Sequence, residues 1–223
     1  MRAGAILACA ALLAACDKAP PRTAANTPSI APFRGATGAT ANFAPDDPPG
    51  EWRRQGRDYA NTRYSPLGQV NAGNVARLKV AWSFSDGIPY GHESAPLVVG
   101  DTMYLVTPFP DVAYAIDLSK PGAPIKWTYE PHPNPIAIGK ACCDAVNRGP
   151  TFADGKLVYA TLDDQALALD AKTGKALWRT KLDDPVNGAT ITMSPLVVGN
   201  IVYVGDSGGE LGVRGRLTAL DLG

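Results

Sequence analysis

The sequence predicts an all-β fold: a partial β-propeller of about two and a half to three four-stranded blades. Two observations carry this. Segments 95–105, 149–159 and 194–204 repeat one plan: an apolar run, a two-residue turn (Gly100-Asp101, Asp154-Gly155, Gly199-Asn200) and a second apolar run. That plan is the short-range signature of a β-hairpin. Each hairpin is then followed by a run ending Ala-x-Asp, at Asp117, Asp170 and Asp221, spaced 53 and 51 residues apart. After the first two come a turn and a tryptophan, Trp127 and Trp178, with Thr173-Gly174 in the clearer copy. Four short strands per ~50 residues is the period of a propeller blade, with the tryptophan packing between neighbouring blades. An ordinary antiparallel sandwich accounts for the strands but not for the shared order of turn, Ala-x-Asp, Thr-Gly and Trp.

From the N-terminus, Arg2 precedes an apolar run over 3–15, too short to span a bilayer and suited to a signal peptide. The run ends Leu13-Ala14-Ala15-Cys16, which resembles a lipobox; cleavage before Cys16 would leave that cysteine lipidated. A plain secretory signal cut elsewhere is the other reading, and either one exports the chain to the periplasm. Residues 16–50 are rich in Pro, Ala and Thr and read as a disordered tether. Residues 51–223 form the propeller part, in which 78–82 (Leu-Lys-Val-Ala-Trp) reads as the outer strand of a preceding blade. The third repeat reaches Gly223 where its Thr-Gly turn and tryptophan strand are due, so the chain is expected to be part of a longer ring.

The bulk numbers exclude some partners. Over 223 residues the formal net charge is zero, and no basic run appears, which argues against a nucleic-acid surface. No interior stretch is apolar for long enough to cross a membrane, so membrane contact is expected only through the N-terminal lipid.

The chemistry starts at Cys142-Cys143. Adjacent cysteines can bond only through an eight-membered ring, with Cα atoms about 3.8 Å apart, below the ~4.4–6.8 Å of ordinary disulfides. Such a strained ring suits a rigid, pre-shaped surface and restrains almost no unfolded-chain entropy. Two reduced thiols in a loop are the alternative. If Cys9 leaves with the signal and Cys16 is acylated, these are the only thiols left, in an oxidising compartment where a disulfide persists.

Aligning the hairpins on Pro96, Pro150 and Pro195 places Glu93, Asn147 and Thr192 three positions earlier, with Arg148 beside Asn147. The first strand of a blade lines the central channel, so these groups should converge at one mouth beside the cysteines. A carboxylate, a guanidinium and a hydroxyl around an apolar plate suit a flat polyanion. After the third hairpin comes Gly205-Asp206-Ser207-Gly208-Gly209-Glu210. It contains the Gly-Asp-Ser-Gly-Gly nucleophile signature of trypsin-like proteases, which needs an upstream base histidine; the candidates are His92 and His132, and His132 sits between Pro131 and Pro133, a poor scaffold for an oriented imidazole. A Gly-rich turn close to a ligand, with Glu210 offered to a hard cation, is the better reading.

These residues resemble the N-terminal part of the pyrroloquinoline quinone (PQQ)-dependent alcohol dehydrogenases. The motifs are Thr62-Arg63-Tyr64-Ser65-Pro66-Leu67, Gly91-His92-Glu93, Cys142-Cys143 through Arg148, Thr190-Ile191-Thr192-Met193, Ser207-Gly208-Gly209-Glu210 and Gly212-Val213-Arg214-Gly215. The resemblance implies an eight-bladed ring in which a Cys142–Cys143 disulfide stacks on one face of the quinone. It implies PQQ binding by Glu93, Cys142, Cys143, Arg148, Thr192, Ser207, Gly208 and Gly209. Glu210 matches a ligand of a Ca²⁺ or lanthanide ion, and Gly208-Gly209 is more like the lanthanide-type branch.

The implied reaction is oxidation of a small primary alcohol of the methanol/ethanol class. A metal polarises the quinone carbonyl, an aspartate accepts the hydroxyl proton, hydride passes to the quinone and electrons leave to a cytochrome c. That aspartate and the other metal ligands have no counterpart in this chain, so no catalytic residue is assigned in it. The polypeptide alone is expected to be inactive. The rival expectation is a non-catalytic propeller lipoprotein serving as an envelope scaffold, which has no need of paired cysteines.

Overall fold

The structure, a computed structural model, describes residues 47–223 apart from Cys143, all within one compact unit of residues 41–223. The expected signal peptide, Cys16 and the tether to residue 46 lie outside the described residues. Eleven strands form three antiparallel sheets in chain order. The first holds β1 (Leu97–Val99), β2 (Thr102–Val106), β3 (Ala113–Asp117) and β4 (Ile125–Tyr129). The second holds β5 (Thr151–Ala153), β6 (Lys156–Thr161), β7 (Gln165–Asp170) and β8 (Ala176–Lys181). The third holds β9 (Leu196–Val198), β10 (Ile201–Gly205) and β11 (Leu217–Asp221). Each sheet is a meander, strand beside next strand, as expected of two blades and most of a third.

The two-residue side-chain period explains why the sheets stack. On β6, Leu157 and Tyr159 join a core with Leu97, Tyr104 and Ala115 of the first sheet. Their neighbours Val158 and Ala160 face the other way, into a core with Val197, Val202 and Val204 of the third. A strand buried on both faces reads as a nearly continuous apolar run, whereas the outer β8 carries Arg179, Thr180 and Lys181 to solvent.

The tryptophans link consecutive blades as predicted. Trp127 Nε1 donates to the Ala171 carbonyl at 3.0 Å, and Trp178 Nε1 to the Leu222 carbonyl at 3.3 Å. Both acceptors directly follow the Ala-x-Asp aspartate of the next blade. That aspartate starts the turn: Asp170 accepts from the Thr173 amide and hydroxyl, both at 2.7 Å. Gly174 then lies so close to Trp127 that a Cβ there would meet the indole at 2.7 Å.

One expected strand is absent. Residues 78–82 form no strand, and Val80 is 85% exposed. An outer strand exists only as the partner of a third strand, and none among the described residues pairs with it. Segment 51–63 instead lies against the inner strands: Trp52 bridges Val98, and the Phe152 amide donates to the Arg53 carbonyl at 2.8 Å.

Candidate functional site

Glu93, Arg148 and Thr192 precede the first strands of the three blades, and the fold brings them into contact. Arg148 Nη2 lies 2.9 Å from the Glu93 carboxylate, and Nη1 donates to the Thr192 hydroxyl at 2.8 Å. The Arg148 amide also donates to the Thr192 carbonyl at 3.0 Å. The Arg148 and Glu93 side chains stay 43% and 45% exposed, so this pair faces solvent. An exposed pair adds little stability, so its importance is orientation.

Asn147, which shares the register of Glu93 and Thr192, does not join them at the mouth. It is buried, donating to Asp111 at 2.9 Å and to the Ala160 carbonyl at 2.8 Å while accepting from the Gly149 amide at 2.9 Å. Those three bonds fix the backbone from which Arg148 projects. Burial pushes Asp111 up to about 7, against the lowering effect of its bonds from Leu162 and Asn147.

On the other side of Thr192 the contacts continue through Thr190. Ser207 Oγ donates to the Thr190 carbonyl at 2.9 Å, and the two hydroxyls lie 2.9 Å apart. Gly208 follows at φ +117, and a Cβ there would come within 2.3 Å of the Gly188 carbonyl oxygen, so only glycine fits. Gly209 opens a 3₁₀ turn, Gly209–Leu211, that carries an exposed Glu210. Glu93, Arg148 and Thr192 form one bonded group, and the Thr190–Ser207 pair, two residues along the chain from Thr192, extends this rim toward Gly208. Beside Arg148 runs a cleft of about 350 Å³, lined by Arg54, Tyr59, Arg63, Thr151 and Ser194 among others.

Cys142 is exposed in the turn before this rim, and the expected pairing to Cys143 lies outside the described residues. The turn is held by Asp144, a residue the sequence reading left without a role. Its Oδ2 accepts from the Gly91 amide at 3.1 Å and its Oδ1 from the Ala145 amide at 2.7 Å. Those bonds hold its carboxyl below the usual range. Next to Gly91, the His92 ring has an acceptor at each nitrogen, the Tyr90 carbonyl and Asp86, both at 2.8 Å. With two acceptors, the protonated ring is favoured, and the Asp86 bond raises the His92 pKa most.

The protease signature is not a triad. Ser207 is bonded to Thr190, Asp206 is clasped by Arg216, and His92 pairs with Asp86. Among the described residues, no three His, Cys, Asp or Glu side chains are grouped to hold a metal ion, so Glu210 would need donors from elsewhere. The donor set fits a carboxylate-bearing quinone better: an accessible guanidinium fork beside two hydroxyls.

Comparison with known proteins places the whole described region beside one enzyme family. The model of the glucose/ethanol/alcohol dehydrogenase β-propeller domain matches residues 52–149, and that of outer membrane protein assembly factor BamB matches 122–222. The lanthanide-dependent methanol dehydrogenase of Methylacidiphilum fumariolicum (strain SolV) is 55% identical over 78% of this chain and 28% of its own length. Methanol dehydrogenase (cytochrome c) subunit 1 of Paracoccus denitrificans is 46% identical, with the same two shares. Among solved structures, a europium-containing methanol dehydrogenase superposes with a TM-score of 0.76 at 55% identity, covering 78% of this chain and 30% of that one. The chain spans under a third of the length of these relatives.

Proposed function

We infer the function from the premise that this chain belongs to the PQQ-dependent alcohol dehydrogenase propeller family, and propose that it supplies one side of a quinone clamp for oxidising small primary alcohols. The observation that carries the reading is the bonded group Glu93–Arg148–Thr192, with the bonded pair Thr190–Ser207 two residues along the same segment. In it, Arg148 binds a quinone carboxylate, Glu93 and Thr192 hold the guanidinium fork in place, and Ser207, Gly208 and Gly209 border the opposite edge. The Cys142–Cys143 pair serves as the plate beneath the ring, and Glu210 contributes one oxygen ligand to a Ca²⁺ or lanthanide ion.

When bound, PQQ supplies the two-electron acceptor and the metal a Lewis acid. The chain's own residues bind, orient and exclude water; none is assigned to take the alcohol proton. The 223-residue polypeptide by itself is therefore expected not to turn over. Export to the periplasm, lipidation at Cys16 and electron delivery to a cytochrome c complete the proposal. The scaffold alternative draws on the match over 122–222, but that segment excludes Glu93 and explains neither the Glu93–Arg148 pair nor paired cysteines.

The test is equilibrium PQQ binding, followed by quenching of tryptophan fluorescence. Arg148→Ala should weaken binding by about tenfold or more, from loss of a charge-assisted bond. Equal affinity in wild type and variant overturns the assignment, and dye-linked methanol oxidation by the polypeptide alone refutes its expected inactivity.

A further inference from the structure

Beside the rim stands one exposed carboxylate, Asp144, that joins two segments distant in sequence. Asp144 follows the cysteine pair directly. Its two oxygens are divided: Oδ1 takes the Ala145 amide of its own turn at 2.7 Å, and Oδ2 takes the Gly91 amide, 53 residues away, at 3.1 Å. The backbone at Asp144 lies at φ +83, in the left-handed region that aspartate enters more readily than most non-glycine residues. Gly91 sits so close that a Cβ on it would lie 3.2 Å from Asp144 Oδ2. Two residues beyond Gly91 stands Glu93, bonded to Arg148, and four residues beyond Asp144 stands Arg148 itself.

One carboxylate thus ties the start of the Glu93 segment to the start of the Arg148 segment. Buried Ala145, Val146 and Asn147 complete the rigid link from Asp144 to Arg148.

We propose that Asp144 is a positioning residue for the quinone clamp: it locks the cysteine turn to Gly91 and so sets the reach of Glu93 toward Arg148. This rests on the clamp reading of the preceding section. Removing the carboxylate frees Gly91, lets Glu93 drift, and leaves the guanidinium with one of its two side-chain partners. Asparagine keeps a single acceptor oxygen, so it can serve Ala145 or Gly91 but not both with full charge.

The experiment measures PQQ affinity of the protein for wild type, Asp144→Ala, Asp144→Asn, Arg148→Ala, Glu93→Gln and Ser207→Ala, and for the double variants of Asp144→Ala with Glu93→Gln and with Ser207→Ala. Expected is a loss of about tenfold for Asp144→Ala and a smaller one for Asp144→Asn. The Asp144 and Glu93 losses should be strongly non-additive, because one acts through the other, while the Asp144 and Ser207 losses add. Hydrogen exchange at the Gly91 amide should quicken in both Asp144 variants, with or without PQQ. Additive losses with Glu93, or unchanged affinity in Asp144→Ala while Arg148→Ala is impaired, overturn the positioning role and leave the clamp standing. Failure of wild-type protein to bind PQQ overturns the clamp reading and this inference with it.

Discussion

Asp164 offers the sharpest test of how charge is arranged inside the second blade. It occupies the turn between β6 and β7 at φ +65, is fully buried, and neither carboxylate oxygen has a hydrogen-bond partner within the protein. Asp206 acts on it from the next blade and Asp183 from just beyond β8, and Arg216 is already engaged with those two at 2.8 and 2.6 Å. Burial first, then these like charges, raise its pKa from 3.8 to about 7. The folded chain therefore binds a proton that the unfolded chain releases, so stability falls as pH climbs from about 4 and levels off past about 7. About three pKa units correspond to roughly 4 kcal/mol, of which about 2.5 kcal/mol falls between pH 5 and pH 8.

Asp164→Asn removes the titration, and asparagine tolerates the left-handed backbone. Urea denaturation of both proteins at pH 4, 5 and 8 should give curves that nearly coincide at pH 4. The variant should then gain about 1.5 kcal/mol at pH 5 and about 4 kcal/mol at pH 8. Asp111, which also titrates near 7, is common to both and cancels in the difference. Parallel pH profiles for the two proteins would refute the argument, since they would mean that Asp164 finds a partner or stays charged at no penalty.

Two further outcomes follow from the blade contacts and the rim. Gly174→Ala adds a Cβ within 2.7 Å of Trp127 at a backbone φ of +73, and should lower stability by about 2–4 kcal/mol in thermal unfolding. Gly199→Ala, at φ +59 but with open space around it, should lose only about 1–2 kcal/mol. Asp86→Asn should bring the His92 titration, followed by NMR, back toward 6.5, because the Asp86 bond is the chief cause of its rise. In the wild type that pair stabilises the fold below pH 6.5 and its contribution is lost as pH rises through the elevated His92 value, a loss the variant should not show.

The blades were legible because their information is local and repeated. Apolar runs, two-residue turns, Ala-x-Asp and the tryptophan that follows it within about ten residues all lie close together in sequence, and the structure reproduces each of them. Residues 78–82 carry the same local pattern yet form no strand, because a strand is a property of two segments and the partner is not among the described residues.

The rim shows the same division at finer scale. Repeat register grouped Glu93 with Thr192, and both contact Arg148, but in the second blade it nominated Asn147, one position short of the residue that reaches them. Asn147 turns inward because Asp111, 36 residues earlier, and the Ala160 carbonyl wait there for its amide. Asp144 was invisible for a related reason: its defining partner is a backbone amide, which no side-chain pattern records, 53 residues away. What the repeat specifies is therefore where a side chain can be offered. Which side chain is offered depends on buried polar partners between blades, and these decide the geometry of the Glu93–Arg148–Thr192 group while leaving no trace in its motifs.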